Sequence, residues 1–169
     1  MRQFAQSGVN GLVIEKMSSE LGCSKSSFYW YFKNRKEFIS RVVNQWSELS
    51  TQLVICNSSV PEKTEDKIIN MLDQMFSATR KGDFLFYLRK LGKAQQSFQG
   101  LLENIEQTRL DYAKELFVEA GMDSVVAEQK SQLLYHYYLG WYERNKHVQV
   151  EQEELNRHVS MLRQQLLGI

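Results

Sequence analysis

The chain has 169 residues, 43% of them hydrophobic and 24% charged, with one Pro and nine Gly. These proportions suit one folded domain, or a small domain joined to a larger one, and exclude a disordered, collagen-like or linker-rich polypeptide. The formal net charge of +1 is unevenly spread: residues 1–50 carry seven Lys/Arg against four Asp/Glu, and residues 51–169 fourteen against sixteen. No apolar run approaches the roughly 20 residues that span a bilayer. The opening Met1 to Gly8 lacks the apolar core of a signal peptide, so the cytoplasm is the expected compartment.

In chain order, apolar residues recur at helical spacing almost everywhere, and strand signals are nearly absent. Ile14, Met17 and Leu21 form a first stripe that Gly22 ends. Ser24 is placed to cap the next helix, with Phe28 and Phe32 on its inner face. A long amphipathic helix follows from Phe38 through Trp46 to Leu53, and Cys56 to Pro61 breaks it. Another helix starts at Thr64, and Lys81-Gly82-Asp83 interrupts the pattern after Phe76. Phe84 to Leu91 reads as a helix, then a longer one runs from Phe98 to Phe117 and stops at Ala120-Gly121. Asp123 or Ser124 caps the next, and a last helix runs from about Glu151 to Leu167. The expected fold is all-α, with about nine helices and no internal repeat.

The stretch from Gly8 to Phe38 carries the most chemistry. Two short helices, Leu12 to Leu21 and Lys25 to Tyr31, are joined by a tight turn at Gly22-Cys23-Ser24, which is the pattern of a helix-turn-helix. Such a motif inserts the N-terminal end of its second helix into the major groove. Lys25, Ser26 and Ser27 fall on that first turn, where free backbone N–H groups favour a phosphate. Tyr29, Trp30 and Tyr31 add phenol and indole donors, and five basic residues lie between Ser24 and Arg41 against Glu37 alone. The run Leu21 to Arg35 resembles the recognition-helix signature of TetR-family transcriptional regulators. That pattern reads Gly, apolar, Ser, any, small, Ser or Thr, apolar, Tyr, any, His or Tyr, Phe, two residues, Lys. Here Arg35 stands for the Lys, Met17 occupies the usual Ile, and Phe4 lies four residues before Gly8. The resemblance implies that Lys25, Ser26 and Trp30 read bases. It places Ser27, Tyr29, Tyr31 and Arg35 on phosphates, and Phe28 and Phe32 against neighbouring helices. Leu12 and Val13 replace the family's usual hydroxyl residues, leaving Asn10 to cap the first of the two helices, and the family's first helix is expected to be shortened here.

The resemblance further implies a DNA-binding domain over residues 1–45 and an effector-binding and dimerisation domain over residues 46–169. Aromatic residues and Met of the middle helices are the candidate pocket: Trp46, Met71, Met75, Phe76, Phe84, Phe86, Tyr87, Phe98, Tyr112 and Phe117. The same residues could equally fill a core. Few charged residues fall on these apolar faces, which favours an apolar or aromatic effector. Tyr135, Tyr137, Tyr138, Trp141 and Tyr142 crowd eight positions, so some face outward and mark an interface. With the stripe Leu155, Val159, Leu162 and Leu166 they would form a four-helix bundle between two copies.

Nothing points to an enzyme or a cofactor: nucleophile elbow, dinucleotide fingerprint and Walker loop are all missing. His136, His147 and His158 lack metal-ligand spacing, and Cys23 is expected in an apolar slot of the turn. The expected function is an effector-responsive, homodimeric DNA-binding regulator, most simply a repressor acting on a pseudo-palindromic operator. The alternative is a helical small-molecule-binding or interaction protein whose head no longer binds duplex DNA.

Overall fold

The structure, a computed structural model, describes residues 1–77, 83–146, 148 and 150–168, and these contain helices but no strand. The helices are α1 (Arg2–Ser7), α2 (Ile14–Glu20), α3 (Lys25–Tyr31), α4 (Arg35–Ser47), α5 (Leu53–Ser58), α6 (Thr64–Ser77), α7 (Phe84–Ala94), α8 (Gln96–Glu119), α9 (Ser124–Asn145) and α10 (Gln152–Leu167). A 3-10 turn, Gly8–Gly11, follows α1, and a π-helical turn, Glu48–Gln52, runs between α4 and α5. The all-α expectation holds. Cys56 and Asn57, expected at a break, lie inside α5, and the chain leaves helix only after Ser58. The interruption expected at Lys81-Gly82 lies outside the described residues. No helix among the described residues is long and apolar enough to cross a membrane.

Two compact units divide the chain: Met1–Glu48 with Lys81–Glu103, and Leu49–Arg80 with Asn104–Ile169. In the first, aromatic packing ties α1 to α7. The Phe4 and Phe84 rings lie 4.5 Å apart, and Trp46 stacks on Phe84 at 4.5 Å with the planes 9° apart. Gly8 is required where it stands. Its φ is +60°, and a Cβ there would come within 2.5 Å of Tyr87 Cδ1. The Tyr87 hydroxyl donates to the Gln6 carbonyl at 3.0 Å, closing the same corner. In the second unit α6, α9 and α10 and the C-terminal part of α8 share one core, built on Ile68, Leu72, Phe76, Phe117, Leu134 and Leu162.

Candidate nucleic-acid interface and body cavity

Local chemistry shapes the head. Val13 occupies the N-cap of α2 with no side-chain bond, so Asn10 is not the cap the sequence offered. The inward face of α2 is Ile14, Met17 and Ser18, and the helix ends at Glu20. Leu21, expected on that stripe, is instead 78% exposed because the chain has already turned away. Cys23 is likewise exposed in the turn, not buried in an apolar slot, and Gly22 supplies the left-handed φ of +65° that the turn needs. Ser24 caps α3: its Oγ accepts from the Ser27 N–H at 3.2 Å and lies 3.0 Å from the Ser27 hydroxyl. Phe28 anchors α3 inward, its ring 4.9 Å from Phe32 and 5.1 Å from Phe38.

With that anchor fixed, the opposite face of α3 is open. Lys25, Ser26, Tyr29, Trp30 and Tyr31 are exposed and Ser27 is half-buried. Trp30 is 80% exposed, its ring edge-on to Tyr31 at 4.9 Å. A large indole held in water is costly in a surface without a partner, and it offers apolar contact to a base edge. Arg35 is exposed too, but one guanidinium N–H donates to the Val9 carbonyl at 2.7 Å, tying the start of α4 to the 3-10 turn. Asn34 caps α4 through Oδ1 to the Glu37 N–H at 2.9 Å, and Glu37 reaches back to the Lys33 N–H at 2.8 Å. That backbone bond, with the Arg41 guanidinium beside it, lowers the Glu37 pKa. Sequence reasoning missed this cap, although Asn34 three residues before Glu37 is its signal.

It also missed Glu15, which bonds Lys25 across the turn. The bond lowers the Glu15 pKa and raises that of Lys25, and both groups stand in solvent. Lys25 is therefore engaged by a carboxylate on α2.

The body unit holds an apolar cavity of about 50 Å³. Val54, Ile55, Met71, Met75, Ala113 and Leu134 make its apolar wall; Ser50, Thr51, Arg109, Tyr112, Ser131, Tyr135 and Tyr138 complete it. Met71, Met75 and Tyr112 were expected at a pocket and line this one. Phe76 and Phe117 are buried in the core of the same unit, off the lining. Trp46, Phe84, Tyr87 and Phe98 belong to the other unit, where Trp46 stacks on Phe84, Phe4 lies against both Phe84 and Tyr87, and Phe98 is buried, while Phe86 is exposed. Tyr112 bonds Ser58 and Ser59 at 2.9 Å each. The Arg109 Nε donates to Thr51 Oγ1 at 2.9 Å and its Nη2 contacts Ser50 Oγ at 3.1 Å.

The residues expected at a dimer interface divide. Tyr135, Tyr138, Leu155, Val159, Leu162 and Leu166 are buried within the single chain. Trp141 and Tyr142 are half-buried; Trp141 lies edge-on to Phe76 at 5.1 Å. The large apolar residues that α9 and α10 expose include Leu133 at 64%, Tyr137 at 39% and Met161 at 39%, besides Val125 and Val126 at the start of α9. Among the described residues no group of three His, Cys, Asp or Glu could hold a metal ion. His147 lies outside the described residues.

The family model for bacterial regulatory proteins of the tetR family matches residues 1–42. No curated protein matches the chain. Among solved structures, the fatty acid degradation regulator FadR of Bacillus halodurans superposes with a TM-score of 0.67 at 15% identity, over 98% of this chain and 89% of that one. A Rhodococcus protein assigned to the TetR-family transcriptional regulators gives 0.61 at 15% identity, over 99% and 89%. The tetR-family model thus matches the head, residues 1–42, and the chain as a whole shares the fold of these two solved regulators.

Proposed function

We propose that the protein is a homodimeric repressor that binds a pseudo-palindromic operator and is released from it by a small ligand with an apolar body. In this reading residues 1–45 read the DNA, residues 46–169 hold the effector and the second copy, and the protein works in the cytoplasm, where its operator lies. The carrying observation is the open face of α3, with Lys25, Ser26, Tyr29, Trp30 and Tyr31 presented together. Side chains at the leading turn of such a helix reach base edges, and those flanking it grip the backbone. A two-fold dimer sets two such helices about 34–36 Å apart, one turn of duplex. The effector acts by preferring the arrangement that does not fit DNA, and it shifts the equilibrium only by that preference.

Gel shifts on duplexes selected from a random pool test the reading. Tyr29→Phe and Arg35→Ala weaken binding to all sequences, whereas Lys25→Ala relaxes sequence preference at a cost on the order of 1–3 kcal/mol. If wild type and all three variants bind alike, α3 is not the reading head. Absence of salt-dependent duplex binding favours the helical small-molecule-binding protein instead.

A further inference from the structure

The cavity is lopsided in its chemistry. Among the described residues that line it, Arg109 carries the one formal charge, and it sits with Ser50 and Thr51 while Val54, Met71 and Leu134 make apolar wall. Arg109 is half-buried on the inward stripe of α8, in register with Ile105, Ala113 and Leu116, all buried. A guanidinium on such a stripe costs desolvation that an aliphatic side chain would avoid. The hydroxyls that hold it come from the π-helical turn at 48–52, a distortion that recurs at functional positions.

We infer that the effector of this cavity is an amphipathic organic acid, its carboxylate held by Arg109, Ser50 and Thr51 and its apolar chain lodged against Met71 and Met75. This deepens the proposed function, on which it rests for the word effector. It also departs from the uncharged ligand that the sequence favoured, because the few charges on the apolar faces included this one. Arginine suits a carboxylate well. Its planar fork matches the two oxygens in two parallel hydrogen bonds, and hydroxyls beside it can donate to the same oxygens. The volume of about 50 Å³ takes roughly three or four waters. The acyl or aryl chain therefore enters by moving Met71 and Met75, the most adaptable side chains of the wall.

Calorimetric titration of the full chain with straight-chain carboxylates of four to twelve carbons, and with the methyl ester of each, tests the inference without DNA. Wild type is expected to bind at least one carboxylate about ten- to a hundredfold more tightly than its ester. Arg109→Gln should abolish that preference while ester binding persists, and Arg109→Lys should keep part of it. Circular dichroism melting of each variant shows that it folds; should Arg109→Gln fail to fold, Ser50→Ala with Thr51→Val carries the same expectation in weaker form. Equal binding of acids and esters, or no carboxylate bound by wild type, overturns the inference. A head that fails to bind duplex DNA overturns the proposed function and leaves this titration standing.

Discussion

Glu15 and Lys25 face one another across the turn of the head with both side chains in water. A pair so exposed adds little to stability. In the proposed function its effect falls on binding, because Lys25 would have to leave Glu15 to meet DNA, and the carboxylate left behind would repel the polyanion. Glu15→Gln is expected to tighten duplex binding and to steepen the log–log salt slope by about one unit, read from gel shifts over a potassium chloride series. An unchanged slope would show that Lys25 makes no phosphate contact. His158 is a second residue whose surroundings decide its behaviour. Its ring lies 4.9 Å from Phe76, 5.5 Å from Tyr137 and 5.5 Å from Trp141, and its buried Nε2 has no hydrogen-bond partner. Burial lowers its pKa from the ordinary 6.5, against a smaller opposing pull from Glu154. A base with a depressed folded pKa contributes stability that is complete above its unfolded pKa and is lost as pH falls through the folded value. Urea midpoints are therefore expected to decline as pH falls below about 6.5, and to decline less in His158→Phe. At this scale the sequence told which residues share the open face of α3. It did not tell their partners: Glu15 with Lys25 and Arg35 with Val9 are set by how the chain turns, which no spacing rule encodes.

Side-chain caps open three of the helices, at Ser24, Asn34 and Asp123, and here the reading from sequence was uneven. Ser24 was legible because a small hydroxyl precedes an aromatic stripe directly. Asn34 was hidden in the charged run Lys33 to Lys36, which reads as a solvated face, although its bond to the Glu37 N–H starts α4 at Arg35. Asn34→Ala is expected to cost about 1 kcal/mol in chemical denaturation. Val13 has extended backbone at the N-cap of α2, with φ −88° and ψ 112°, and no side-chain bond to offer. Val13→Thr supplies the missing acceptor in a compatible conformation, so the same assay should show a gain of about 0.5–1 kcal/mol. Leu21 was misplaced for a related reason. Periodicity continues on paper past Glu20, but once Gly22 takes a positive φ the helical face no longer exists. In α8 the register was legible and its meaning was not, since one arginine among apolar positions reads as noise until the cavity it borders is seen.

For the whole molecule, helical spacing revealed apolar stripes but not which surface covers each. Leu155, Val159, Leu162 and Leu166 suit an interface or a core equally well on paper, and the fold turns them into the core of one chain. Leu133 and Tyr137 of α9 are exposed, with Gly140 on the same side of that helix by its spacing, and Met161 is exposed on α10. A Cβ built on Gly140 meets nothing within 4 Å, so nothing inside the chain demands a glycine there. Mid-helix glycine costs roughly 1 kcal/mol against alanine, and close approach of a second backbone would account for its place. For the proposed homodimer, Leu133→Glu with Tyr137→Asp is expected to yield a folded monomer by sedimentation, with duplex affinity reduced at least about a hundredfold, since each half would then bind alone.

The smallness of the void beside Arg109 governs time as well as size. For an effector of the proposed kind there is no vacant berth to diffuse into. On that reading a chain longer than the void enters as Met71 and Met75 move, and relaxation after mixing is expected to level off at the frequency of that movement at high solute concentration. The affinity measured is the intrinsic one scaled by the fraction of molecules open at any moment. In the proposed switch, how quickly the operator is vacated would then be set by methionine packing in the body, and loosening those two side chains would make it both faster and more sensitive.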